Sequence, residues 1–185
     1  MTRRVICIAR VLGAGAADVG KGVGDALGYK LVDDEILQLA AANSDLPIEE
    51  LASVERRGAP VSGDVSADEL QAYIRESIDE AADRGELVIM SHAASFALAG
   101  RDDVLRVLVT ASPQTRAHRV ADDRGIPETE ATSLVAADDD NRRDYLRRFY
   151  GIVWESPMQY DVVLNSDVLP QDVIVELIVR AAQAA

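Results

Sequence analysis

The chain reads as an α/β domain, with a five-stranded parallel sheet covered by helices on both faces to give three layers. Three observations predict this. Short apolar runs alternate with amphipathic stretches from end to end, the pattern of successive strand–helix units. A glycine-rich segment, Gly13 to Gly22, follows directly on the first apolar run and leads into a helix. At 185 residues the chain is long enough for one domain, 1–185, with a substantial core.

Val5-Ile6-Cys7-Ile8-Ala9 is the first strand, and Cys7, the sole cysteine, is expected to be a small buried apolar residue. The helix after the glycine segment is expected to open on Gly20-Lys21 and to run through Leu27. Lys30-Leu31-Val32 forms a short second strand, and a helix follows from Glu35 to about Ala42, ended by Asn43-Ser44-Asp45. From Leu46 to Asp64 the sequence is irregular, with Pro47, Gly58, Pro60 and Gly63. Ser66-Ala67-Asp68-Glu69 reads as a capping box that opens an amphipathic helix to about Arg84. Leu87-Val88-Ile89-Met90 and Leu105 to Val109 are further strands. Ser112-Pro113 starts a helix that Gly125 stops, and Pro127 to Tyr150 is a charged helical stretch. Tyr160 to Asn165 is the last strand, and Asp172 to Ala182 the closing helix.

Within the glycine segment, Gly15-x-x-x-x-Gly20-Lys21 has the spacing of a phosphate-binding P-loop. Backbone N–H groups cradle phosphate oxygens only where no Cβ blocks close approach, and a helix N-terminus adds a favourable dipole. Of nineteen basic residues only Lys21 and Lys30 are lysines, which gives weight to a lysine at the position a P-loop requires. Gly22 stands where a Ser or Thr hydroxyl would hold Mg²⁺, so the motif is incomplete. The plainer reading is a strand-to-helix turn with no ligand.

Five strands with two insertions, about 43–85 after the second strand and about 125–150 before the last, describe a three-layer P-loop kinase fold. The first insertion would bind the acceptor, and the second would form a helical lid.

Composition narrows the partners. A net charge of −13 argues against a nucleic acid polymer or an anionic membrane, whereas a small anionic ligand remains compatible. No apolar run approaches a membrane span and no signal-peptide pattern opens the chain, so a cytoplasmic protein is expected. A homo-oligomer stays open.

Several segments resemble bacterial cytidylate kinases, and more closely the cytidylate kinase-like branch of the nucleoside monophosphate kinases. They are Gly13 to Gly20, Asp33-x-Glu35-Ile36-Leu37, and Val109-Thr110-Ala111-Ser112-Pro113 with Arg116, Ala117 and Arg119. Further along, Arg142-x-x-Tyr145 with Phe149-Tyr150-Gly151 and Trp154 is similar to the lid helix and the turn beyond it. Tyr160 to Ser166, with Leu169, is similar to the last strand and turn. The pieces fall in collinear order over nearly the whole chain. The departures are specific. Ser91-His92 replaces the Gly-Arg that clamps the acceptor's phosphate, Arg10 keeps its place between the changed residues Ala9 and Val11, and Ala16-Ala17 replaces a glycine and an arginine.

This resemblance implies ATP as donor with Mg²⁺, and nucleotides as small-molecule partners. Gly13, Gly15, Gly20, Lys21, Gly22, Arg116 and Asn165 would hold ATP, with Arg119 able to contact donor or acceptor. Lys21, Arg142, Arg147 (or Arg143) and Asp33 would act on the transferred group. Arg10, Asp33, Arg57 and His92 would bind the acceptor, and Asp33 could reach Mg²⁺ through water. The same residues have plainer readings. The arginines at 142, 143, 147 and 148 could form a solvated face paired with Asp138 to Asp140 and Asp144. His92 could be structural, Arg56-Arg57 solvated, His118 a surface residue and Trp154 a packing anchor. The Asp138-Asp139-Asp140 run is too contiguous to converge on a metal, because neighbours on a helix point in different directions, and it is expected to be solvated. Two functions stay in view: phosphoryl transfer to a nucleoside monophosphate, cytidylate leading, and a catalytically weak or inactive nucleotide-binding regulatory protein.

Overall fold

The computed structural model describes residues 3–33, 35–44, 46–49, 51–52, 67–91, 94–153 and 155–184. Its strands are β1 (Val5–Ala9), β2 (Lys30–Val32), β3 (Leu87–Ser91), β4 (Val104–Thr110) and β5 (Val162–Asn165). Its helices are α1 (Ala16–Leu27), α2 (Glu35–Ser44), α3 (Ala67–Arg84), α4 (Ala94–Ala97), α5 (Pro113–Arg124), α6 (Glu128–Tyr150) and α7 (Gln171–Gln183). Arg56, Arg57, Ser66, His92 and Trp154, each singled out by the sequence, lie outside the described residues.

The five strands form one parallel sheet in the order β2-β3-β1-β4-β5, as the alternating pattern predicts. β1 lies at the centre, and all five of its residues are buried. Its alternate side chains feed two cores. Val5 and Cys7 join Val32, Ile36, Leu70, Ile74 and Ile89 beneath α2 and α3, while Ile6 and Ile8 join Val19, Val23, Ile174 and Ile178 beneath α1 and α7. A third, smaller cluster of Ala117, Val120, Ala131 and Val135 holds α5 against the first half of α6.

Local chemistry sets the element ends. The Ser112 side chain accepts from the Thr115 N–H, Pro113 opens α5, and Gly125 closes it at φ 63°. The last strand begins at Val162 and not at Tyr160. The carboxylate of Asp161 accepts from the Arg106 backbone N–H at 2.8 Å and pairs with the Arg106 guanidinium at 2.8 Å, so a side chain takes the place of a ladder bond. The stretch 125–150, expected to be a lid, is a three-residue turn followed by one continuous helix. Tyr145, Leu146 and Phe149 of that helix are buried in the core with α3. No helix among the described residues is long and apolar enough to cross a membrane.

Burial from all sides pushes the Cys7 thiol up to about 12, which leaves almost no thiolate at neutral pH. A thiol reagent added to the native protein at pH 8 should therefore label Cys7 only at the rate of unfolding, and rapidly in denaturant. Fast stoichiometric labelling of the native protein would contradict a sealed central strand.

Candidate active site

β1 delivers the chain to the carboxyl edge of the sheet, where it turns through Arg10 to Gly15 into α1. Two glycines make that turn possible for different reasons. Gly13 has φ 75°, and a Cβ there would lie 2.5 Å from the Arg116 carbonyl oxygen, so the turn packs directly on the α5 backbone. Gly15 has φ 79° but nothing within 4 Å of a Cβ, so only its backbone conformation is special. It is the N-cap of α1 and provides no side-chain cap, leaving the amides of the first helical turn available to an anion.

The helix starts at Ala16, earlier than the sequence spacing predicts. Two alanines, the best helix formers, follow Gly15 at once, and Asp18 in the first turn favours the positive end of the dipole. Gly20, Lys21 and Gly22 therefore lie more than a turn inside α1. Gly20 and Gly22 serve close packing, since a Cβ would meet the Met90 sulfur at 2.7 Å and the Val175 side chain at 2.8 Å respectively. Lys21 is exposed and does not line the cavity at the turn.

That cavity, of about 670 Å³, is bounded by residues 10–19, by Arg119 and Asp123 of α5, and by residues 166–171 after β5. It lies beyond the carboxyl ends of β1, β4 and β5, the usual place for a ligand in an open α/β sheet. Its charged side chains are Arg10 and Arg119 against Asp18, Asp123 and Asp167. Asn165 is exposed and lies outside the lining; its side-chain oxygen accepts from the Asp167 N–H at 2.8 Å. On the other side of the turn, Arg10 pairs with Asp33, an ion pair that bridges the ends of β1 and β2 across β3. Two residues assigned from the sequence to the acceptor thus come together.

Arg116 of α5 and Arg142 of α6 are engaged with protein. Arg116, 5 % exposed at its side chain, holds Asp139 through both carboxylate oxygens at 2.8 and 2.6 Å. Arg142, equally buried, holds Glu155 at 3.1 and 2.7 Å and donates to the Tyr160 hydroxyl at 3.0 Å, which in turn donates to Glu155. Asp138 accepts from the Leu12 N–H at 3.4 Å, and burial pushes its carboxyl above the ordinary range. Asp138 and Asp139 are thus structural and not solvated, because three- and four-residue spacings on α6 turn them with Arg142 toward the β1–α1 turn. Only Asp140 is exposed, and it pairs with Arg143; Arg147 pairs with Asp144 in the same exposed manner. Glu155, Tyr160 and Ser166 were not assigned site roles from the sequence. Glu155 carries no motif, whereas Tyr160 and Ser166 fall within the segment that resembles the last strand and turn.

The Arg142–Glu155 pair has a definite pH signature. Burial alone would raise the Glu155 carboxyl, but the hydrogen bonds and charge of Arg142 outweigh it and hold Glu155 below its ordinary value. This stabilisation is complete above the ordinary glutamate range and is lost as pH falls through the lowered native value. Glu155→Ala removes the carboxylate that balances the buried guanidinium and should cost about 3 kcal/mol at pH 7. The loss should shrink toward zero in acid, as denaturant titrations at a series of pH values would reveal. A pH-independent loss would assign the effect to packing.

Comparison with known proteins places this geometry. The cytidylate kinase-like family matches residues 5–168. A cytidylate kinase from Ignicoccus hospitalis is 26 % identical over 177 residues, covering 95 % of this chain and 97 % of that protein. Among solved structures, an uncharacterised protein from Eubacterium ventriosum superposes with a TM-score of 0.77 at 18 % identity, covering 99 % of both chains. A gluconokinase from Sinorhizobium meliloti superposes at 0.61 with 17 % identity, covering 99 % of this chain and 93 % of that one. With the family model matching residues 5–168, most of its length, this chain belongs to the cytidylate kinase-like family.

Proposed function

We propose that the protein transfers a phosphoryl group from ATP to a nucleoside monophosphate, with a cytidylate-like acceptor. The observation that carries this is the uncapped start of α1, opening from a turn with glycine at 13 and 15 into a cavity of about 670 Å³ with Arg119 on its wall. The first-turn amides and Arg119 would bind the donor's phosphates, and Val168, Leu169 and Pro170 on the cavity wall would receive its base. The acceptor's phosphate would meet Arg10, whose guanidinium Asp33 orients. In this arrangement the protein supplies position and charge, which is most of what phosphoryl transfer requires.

The residues fit ATP better than they fit a protein-held metal. No group of three metal-ligating side chains occurs among the described residues, and the first turn of α1 offers Ala16 and Ala17 with no hydroxyl. Mg²⁺ would be held chiefly by nucleotide oxygens, with Asp18 or Asp33 reaching it through water, and would neutralise phosphate charge. The same two alanines, with Lys21 away from the cavity, favour a second reading: a nucleotide-binding regulatory protein with little or no turnover.

ATP·Mg²⁺-dependent transfer across a panel of nucleoside monophosphates separates the two. The kinase reading expects turnover on CMP or dCMP and a loss of roughly tenfold to a hundredfold in kcat/KM for Arg119→Ala. ATP binding without turnover on any acceptor would establish the regulatory reading. Lys21→Ala tests the geometry itself, since a comparable loss there would return Lys21 to the donor site.

A further inference from the structure

Ser166 lies just past β5, and its backbone N–H is fixed to the Thr110 carbonyl at 2.8 Å. Its hydroxyl sits between Arg119 Nη1 at 2.9 Å and the Ala14 carbonyl oxygen at 3.0 Å. Guanidinium can only donate and a carbonyl can only accept, so the hydroxyl accepts from Arg119 and donates its O–H to the Ala14 carbonyl. Arg119 is held in place by Nη2, which donates to the Ser166 carbonyl at 2.8 Å, and Nη1 also approaches the Gly13 carbonyl at 3.3 Å. The result is a directed chain from Arg119 through Ser166 to the peptide joining Ala14 and Gly15, in which each bond polarises the next.

On its Gly15 side that peptide meets little steric restraint. Gly13 is locked by the Arg116 backbone, but Gly15 has open space around it and no Cβ to penalise rotation. A 14–15 plane free to rotate would exchange its carbonyl with the Gly15 N–H. A donor for an anion would then be replaced by an acceptor that repels it. We infer that Ser166 is a positioning residue, whose hydroxyl holds the Ala14–Gly15 peptide in the orientation that receives the donor's phosphate. The inference rests on the donor-site reading above and adds to it the group that keeps the cradle formed.

The test compares the full chain with Ser166→Ala and Ser166→Thr, by amide NMR without ligand and by calorimetric titration with Mg²⁺·ATP and with tripolyphosphate. Ser166→Ala should bring exchange broadening to the Gly15 amide and weaken both ligands roughly threefold to tenfold, the loss of one hydrogen bond. Ser166→Thr, which keeps the hydroxyl, should restore both. A Gly15 resonance that is the same in wild type and Ser166→Ala would overturn the inference whatever the ligands do. Affinities unchanged in Ser166→Ala would also overturn it. A wild-type protein that binds neither ligand, with Gly15 nonetheless released in Ser166→Ala, would instead sink the donor-site reading and leave the hold on the peptide standing.

Discussion

The turn between β1 and α1 is held by side chains that grip its backbone carbonyls. Arg142 approaches the Arg10 carbonyl at 3.4 Å, Arg116 the Leu12 carbonyl at 3.4 Å, Arg119 the Gly13 carbonyl at 3.3 Å and Ser166 the Ala14 carbonyl at 3.0 Å. Asp138 takes the Leu12 N–H from the same side. Carbonyls in a loop at a sheet edge must find donors, and here they find them in α5, α6 and the turn after β5. One wall of the cavity is thereby tied to three separate elements. The long helix α6 can do this because its second half is anchored in the core by Tyr145, Leu146 and Phe149.

Holding the turn in this way consumes positive charge. Arg116 and Arg142 are each committed to a carboxylate through two hydrogen bonds, in surroundings where an unpaired guanidinium would be costly. The cavity is left with Arg119 and with Arg10, itself paired to Asp33, facing three aspartates. Nearly all of the affinity for an anion must then come from backbone amides and the helix dipole. A site built on amides depends on the orientation of its peptide planes more than a site built on a mobile lysine does. That dependence is why the carbonyl grips and the Gly13 contact with α5 matter to the chemistry.

The strands, their parallel arrangement, the cap at Ser112 and the stop at Gly125 were legible because each is written locally, in an apolar run, a hydroxyl before a proline, or a glycine past a helix end. The burial of Cys7 was legible in the same way. The spacing set the start of α1 too late, at Gly20-Lys21, because spacing counts residues and does not say where a helix begins; Ala16-Ala17 nucleate it early. The aspartate run misled for a related reason. Contiguous acids look solvated until the helix that carries them is laid along a loop edge, where Asp138 and Asp139 face inward.

By itself the sequence determined the layered α/β fold, the central buried strand and the glycine turn at its end. These follow from periodicity, burial and the absence of a Cβ, which are properties of neighbours along the chain. Only the tertiary structure decided which cations face the turn and which are locked to carboxylates, that Arg10 meets Asp33, and that a serine more than 150 residues away holds the Ala14 carbonyl. Those contacts join residues that are distant along the chain, and their energies depend on burial and angle, which no linear pattern encodes.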